Sequence, residues 1–233
     1  MNHAARSGLS QTLNGAELTL RGSGALYWPA RDLLCVSDLH LGKSERMARR
    51  GGPALPPYET RDTLSRLEAE IEATGARTVL CLGDSFDDRA AAAALGEDER
   101  LWIARLMAGR RWIWIEGNHD PGPLDLGGTH LAELVQGPLV FRHIAEPGAR
   151  GELSGHYHPK VRLPTRGRLV SRPAFLCDDT RIILPAFGTY TGGLSSLDPV
   201  LQAIMQPGAQ AVLTGPVPTR VPMARPGHGA PAP

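Results

Sequence analysis

Asp38-Leu39-His40, Gly83-Asp84, Gly117-Asn118-His119-Asp120, His143 and Gly155-His156-Tyr157-His158 are five short stretches dense in side chains that can hold a metal ion. Hydrolysing a phosphate ester requires neutralised phosphoryl oxygens and a hydroxide formed near neutral pH. Two divalent cations roughly 3.5–4 Å apart provide both. Such a site needs carboxylates for hard cations, imidazoles for transition metals, and one ligand shared by the pair. The chain holds that inventory. In extended backbone, residues i and i+2 point to one side, so Asp38 with His40, and His156 with His158, are expected to reach one cluster together. Gly83, Gly117 and Gly155 each stand directly before a candidate ligand, where they would let the backbone turn sharply and approach closely.

The elements that must position these residues alternate. Ala16 to Leu20 and Gly24 to Trp28 read as short strands around Arg21-Gly22-Ser23. Leu33 to Ser37, Thr78 to Leu82 and Trp112 to Ile115 are short apolar runs that fit buried strands. Arg61 to Glu72 carries Leu64, Leu67 and Ile71 at helical spacing and ends near Gly75, and Glu97 to Ala108 also reads as helix. Three strands in succession therefore end in polar, metal-capable residues. In open α/β sheets the functional crevice lies at the carboxyl ends of the strands. After Pro138 the texture changes to short strands at Leu139 to Ile144, Glu152 to Ser154, Arg168 to Val170 and Arg181 to Leu184, which predicts a second sheet.

The ordered set Asp-x-His, Gly-Asp, Gly-Asn-His-Asp, a lone His and Gly-His-x-His resembles the calcineurin-like metallophosphoesterases. The resemblance implies an α/β fold, a four-layer β-sandwich flanked by helices. It implies that Asp38, His40 and His158 hold the first metal, that Asp84 bridges, and that Asn118, His143 and His156 complete the second. His119 would stabilise the transition state or protonate the leaving oxygen, with Asp120 orienting it. A narrower likeness lies in Asp38-Leu-His-Leu-Gly-Lys43, Gly52 to Pro57, Leu82-Gly-Asp-Ser-Phe86 and Leu184-Pro-Ala-Phe-Gly-Thr-Tyr-Thr-Gly-Gly-Leu194. These are similar to bacterial ligase-associated DNA damage response endonucleases. That likeness implies manganese as the metal, while the Asp, His and Asn side chains themselves suit iron and zinc equally. It also implies DNA or another phosphodiester as substrate, and a DNA ligase, a helicase and an exonuclease as partners.

Each of these residues also has a plainer reading. Asp38 and His40 would alone be a strand end, and Asn118 a left-handed turn residue. His130, expected on a short helix, rivals His143 as the lone His. Lys43 and Arg46 are candidates for substrate phosphate; a surface salt bridge, or a solvated helix face shared with Arg49 and Arg50, is the alternative. Asp87 and Asp88 are read as caps for a helix starting near Arg89.

Composition bounds the rest. The 233 residues, with a net charge of +1 and 42% hydrophobic content, suit one α/β domain and give no global push toward nucleic acid. Cys35, Cys81 and Cys177 form no CxxC pair, which argues against a finger-type zinc site and for a reducing compartment. With no signal-like or membrane-length apolar stretch, a cytoplasmic protein with no membrane partner is expected. Residues 1–15 are expected to be a lead-in, 16–213 the catalytic domain, and 214–233 a disordered Pro/Gly-rich tail. The leading expectation is a manganese-dependent DNA endonuclease acting by attack of a metal-bound hydroxide. The alternatives are a small-molecule or cyclic-nucleotide phosphodiesterase and a non-catalytic metal-bound scaffold for repair partners.

Overall fold

The computed structural model describes residues 8–53, 55–120, 126–165 and 167–226. Gly8–Leu13 (β1), Ala16–Arg21 (β2) and Leu26–Trp28 (β3) form an antiparallel ribbon. β3 pairs antiparallel with Leu33–Val36 (β4). Thr78–Leu82 (β5), Arg111–Ile115 (β6) and Thr129–Leu131 (β7) then follow β4 in parallel, in the order β1-β2-β3-β4-β5-β6-β7. The helices Lys43–Arg49 (α1), Glu59–Thr74 (α2), Arg89–Ala93 (α3) and Glu97–Met107 (α4) lie between these strands in the chain. α2 stops where Gly75 turns left-handed (φ 65°) and its N–H caps Ile71 O at 2.9 Å.

The second sheet runs β15-β14-β12-β13-β10-β9-β8. Its strands are Glu133–Gln136 (β8), Leu139–Arg142 (β9), Glu152–Ser154 (β10), Arg168–Cys177 (β12), Arg181–Ile183 (β13), Gln210–Leu213 (β14) and Thr219–Pro222 (β15). Lys160–Thr165 (β11) pairs with β12 outside that path, and Pro199–Ile204 (α5) is capped by the Asp198 side chain.

Period-two alternation sorts the apolar residues into layers. Leu33, Cys35, Leu80, Leu82, Ile113 and Ile115 face the second sheet and pack with Phe141, Leu153, Phe175 and Ile182. Leu34, Val36, Val79, Cys81, Trp112 and Trp114 face the other way, onto Leu64, Leu67 and Ile71 of α2 and Ile103 and Leu106 of α4. On the far side Ala174, Leu176, Ile183 and Ala211 pack with Leu201 of α5 and Met205. Helix, sheet, sheet and helix make the expected four layers. Strands covered on both faces must be apolar at every position, which explains the unbroken apolar runs. All three cysteines are free and buried within these layers.

Three expectations are corrected. β1 begins at Gly8, inside the expected lead-in, because all six residues of β1 pair with β2 and Leu13 enters the core. β15 lies inside the expected tail and pairs with β14, with Met223 buried beyond it; the rest of that tail, 227–233, is outside the described residues. His130 is on strand β7, not on a helix, with its ring stacked 6.3 Å from that of Trp114.

Candidate metal centre

The candidate ligands sit on the loops at the carboxyl ends of β4, β5, β6, β9 and β10. Backbone bonds lock these loops together. Asp38 N donates to Gly83 O (3.2 Å), His40 N to Asp84 O (3.0 Å), Gly155 N to His143 O (2.9 Å) and Gly188 N to Asp38 O (3.0 Å).

The local backbone differs from the extended geometry expected for Asp38-x-His40 and His156-x-His158. Asp38, His40, Asp84, His156 and His158 all have positive φ, between 45° and 70°. Each such non-glycine residue costs about 1–3 kcal/mol, and clusters of them persist only where surrounding structure holds them. Among the three glycines, Gly83 supplies a left-handed turn (φ 79°). Gly117 and Gly155 serve close approach instead. A Cβ on Gly117 would strike Asp84 and lie 2.6 Å from Asp120 Oδ1, and one on Gly155 would strike Ser37 and lie 2.6 Å from Asp38 Oδ2.

Two groups of ligand atoms result. Asp38, His40 and His158 form the first. His158 Nε2 is 3.1 Å from Asp38 Oδ1 and 3.4 Å from His40 Nε2. Asp84, His143 and His156 form the second. His143 Nε2 lies 3.3 Å from Asp84 Oδ2, 3.3 Å from His156 Nδ1 and 3.0 Å from Asn118 Oδ1. The structure thus brings all seven expected ligands together, and leaves His130 out of both groups.

The tautomers test whether metals fit. His40 Nδ1 faces Asp87 Oδ1 at 2.8 Å and His143 Nδ1 faces Leu82 O at 3.0 Å, so each Nδ1 donates. Each Nε2 then turns a lone pair inward. His143 Nε2 and Asn118 Oδ1 consequently point lone pairs at each other across 3.0 Å, which a cation between them satisfies. Ligand atoms about 3.0–3.4 Å apart match metal–ligand bonds of about 2.1 Å at octahedral or tetrahedral angles. The residues fit divalent cations.

Electrostatics agree. Burial opposes ionisation of Asp38, but hydrogen bonding and charge from His158, the charge of His143 and the Ser37 hydroxyl (2.5 Å) outweigh it and hold the carboxyl below its usual value. Burial likewise opposes ionisation of Asp84, yet His143 and the His119 N–H bring it down to about 2. His143 is lowered by burial but raised more by Asp84 and Asp38, to about 8. The carboxylates that raise it would equally favour a cation beside its Nε2.

Asp87 was expected to cap a helix. Asp88 alone does so, accepting from Ala91 N at 2.7 Å. Asp87 is buried against His40, with Arg46 Nη1 at 2.8 Å and Lys43 Nζ at 3.6 Å as counter-charges. It is placed to orient His40, a candidate ligand, through the Nδ1 side of the ring. It also completes a third cluster with His40 and His119, but its two oxygens are already engaged by His40 Nδ1 and Arg46.

The pairing expected between Asp120 and His119 is not formed. Asp120 accepts from Ser85 N (2.8 Å), Phe86 N (3.1 Å) and Gly117 N (3.2 Å), pinning the β5 and β6 loops to each other. Burial pushes its carboxyl up to about 6 against those donors. The orienting partner of His119 is the carbonyl of Asp87, 2.9 Å from Nδ1, which leaves Nε2 turned toward Asp84 Oδ2 at 4.0 Å.

Sequence reasoning missed Ser37, Asp87 and Gly188 at this site, and placed Gly193 only in a loop that could flank it. A Cβ on Gly188 would strike the Leu39 carbonyl, and one on Gly193 would strike His158. The Leu184 to Leu194 stretch carried a signal for the glycines; a buried serine and a second-rank aspartate leave none. Beside the second group a cleft of about 470 Å³ opens, bordered by Glu116, Asn118, Glu133, Arg142, His143 and Glu146.

The calcineurin-like phosphoesterase family pattern matches residues 32–200. The chain is similar to the solved structure of the nuclease MPE of Pseudomonas putida, with 31% identity and a TM-score of 0.71 over 91% of this chain and 100% of that one. A phosphoesterase-like protein of Streptococcus pneumoniae aligns over 82% of this chain and 96% of its own, at 12% identity and a TM-score of 0.31, too loosely to bear on function. No curated protein matches.

Proposed function

The chain belongs to the calcineurin-like phosphoesterase family, a family of metal-dependent hydrolases, and from that premise we propose that it is a manganese-dependent DNA endonuclease. The observation that carries the reading is the convergence of seven ligand side chains from five loops, with lone pairs aimed inward at 3.0–3.4 Å. The nuclease character of the Pseudomonas putida relative supports a polynucleotide substrate.

In this reading Asp38, His40 and His158 would hold one cation, Asn118, His143 and His156 would hold the other, and Asp84 would serve both. Bound cations would neutralise phosphate oxygens and supply a nucleophilic water near neutral pH. Two ionised carboxylates, Asp38 and Asp84, set against two dications leave the centre net positive, which suits an anionic diester. His119, its Nδ1–H held by the Asp87 carbonyl, presents Nε2 to the phosphate to stabilise charge or hand a proton to the leaving oxygen. Lys43 and Arg46 hold Asp87, and keep further N–H groups for substrate phosphate. Repair alongside a ligase, a helicase and an exonuclease extends the same reading, on the resemblance of Leu184 to Leu194. No helix among the described residues is long and apolar enough to cross a membrane.

Metal-stripped protein is incubated with supercoiled plasmid and manganese, magnesium or zinc, beside Asp84→Ala and His119→Ala. Nicking that needs manganese and disappears in both variants is the expected result. Turnover of cyclic nucleotides without nicking would move the activity to small diesters. Metal binding with no turnover of either would make the protein a scaffold.

A further inference from the structure

Sequence reasoning looked for phosphate contacts on α1, but the structure pairs its arginines with acids. Arg46 meets Asp87, and Arg49 and Arg50 meet Asp88. The β11–β12 hairpin has the opposite character. From Pro159 to Cys177 the sequence holds Lys160, Arg162, Arg166, Arg168 and Arg172 and no acidic residue, in a chain of net charge +1. Arg162 and Arg172 are exposed and make no ion pair among the described residues.

The hairpin extends beyond the second sheet. Arg168 to Pro173 pair only with β11, whereas Ala174 to Cys177 enter the sheet beside β14. Six paired residues at about 3.3 Å each give an arm of about 20 Å. Its root is tied to the metal centre. Lys160 follows His158 by two residues, its N–H donates to Leu194 O (2.8 Å), and its ammonium donates to Thr191 O (3.0 Å). Val161 and Leu163, the second and fourth residues of β11, anchor one face of the hairpin to the α5 layer.

Charge on a free edge strand also blocks edge-to-edge aggregation, but either sign does that. Cations alone, on an arm rooted at a candidate ligand, fit a phosphodiester backbone. We propose that the β11–β12 hairpin is an arm that holds the phosphate backbone of a nucleic acid strand entering the metal centre, through Arg162 and Arg172. The proposal rests on the polynucleotide reading above.

The test is the full-length Arg162→Ala/Arg172→Ala protein, its fold checked by thermal melting. Anisotropy of labelled oligothymidylate, in chelator, is followed against salt; oligouridylate reports whether the sugar matters, and phosphatidylserine vesicles report a lipid surface. Hydrolysis of bis(p-nitrophenyl) phosphate with manganese is measured in parallel. Expected are weaker oligonucleotide binding and a salt slope reduced by about 1.4 for two single-strand phosphate contacts, with unchanged hydrolysis of the small diester. Unchanged affinity and slope in the variant, where the wild type binds and cuts DNA, would overturn the arm and leave the function standing. A wild type that hydrolyses the small diester but binds no oligonucleotide would overturn both. Arginine-dependent binding to vesicles but not oligonucleotides would overturn the arm in favour of a lipid surface.

Discussion

Gly155→Ala tests whether the close approach at the β10 turn sets the metal centre. Gly155 does not have positive φ, so alanine meets no left-handed backbone penalty there. What the new Cβ meets is Ser37 Oγ and, at 2.6 Å, Asp38 Oδ2. To restore ordinary contact near 3.4 Å the carboxylate must retreat by about 0.8 Å. Asp38 Oδ2 also accepts from Ser37 Oγ (2.5 Å) and His156 N (3.0 Å), so the retreat loosens both neighbours. Overpacking of this kind costs about 1–3 kcal/mol. If the displaced ligand bears that cost in the loaded protein, manganese affinity falls about 5- to 150-fold. Competition titration against a chromophoric chelator reads the affinity, and circular dichroism melting of metal-free protein reads the fold. Gly192→Ala is the control, since a Cβ there meets nothing within 4 Å. Manganese affinity in Gly155→Ala equal to that of Gly192→Ala would refute the reasoning, because the crowded turn would then have yielded without moving Asp38.

Other perturbations separate roles that lie close together. Asp87→Asn should weaken manganese binding by about 10- to 100-fold, through loss of the carboxylate that orients His40, measured by the same titration; an unchanged affinity removes Asp87 from the centre. Asp120→Ala strands three N–H groups and should lower stability by at least about 2 kcal/mol in urea unfolding. If Asp120→Asn instead leaves stability intact and alters the pH profile of kcat, Asp120 acts on His119 after all. Asp88→Ala removes the cap of α3 and should cost about 1 kcal/mol. For Asp88, burial opposes the charge, but Arg49 and the Ala91 N–H outweigh it and hold the carboxyl below its ordinary value. The sign follows: its contribution is complete above the unfolded pKa of about 3.9 and fades as pH falls through the lower folded value. Asp88→Asn keeps a cap and should flatten that part of the acid unfolding curve; an acid limb identical to wild type would contradict this.

The sequence by itself determined the ligand inventory and its placement at strand ends. Apolar runs of four or five residues bounded by Asp, Asn and His are local signals, and so is the helical spacing of Leu64, Leu67 and Ile71. The family resemblance then suggested how the ligands divide between two groups, and the apolar strand that His143 closes just before Gly155-His156 favoured it over His130. Only the tertiary structure decided how those residues are held. Left-handed backbone at Asp38, His40, Asp84, His156 and His158 depends on hydrogen bonds between loops far apart in the chain, such as His40 N to Asp84 O. The exchange of roles between Asp120 and Asp87 has the same origin. Adjacency in sequence suggested Asp120 for His119, but its carboxylate is claimed by Ser85, Phe86 and Gly117 N–H groups, while the Asp87 carbonyl arrives from another loop. Edge strands β1 and β15 escaped for a related reason: a strand with one partner carries a weak apolar pattern, and its stability comes from a neighbour the local sequence does not contain.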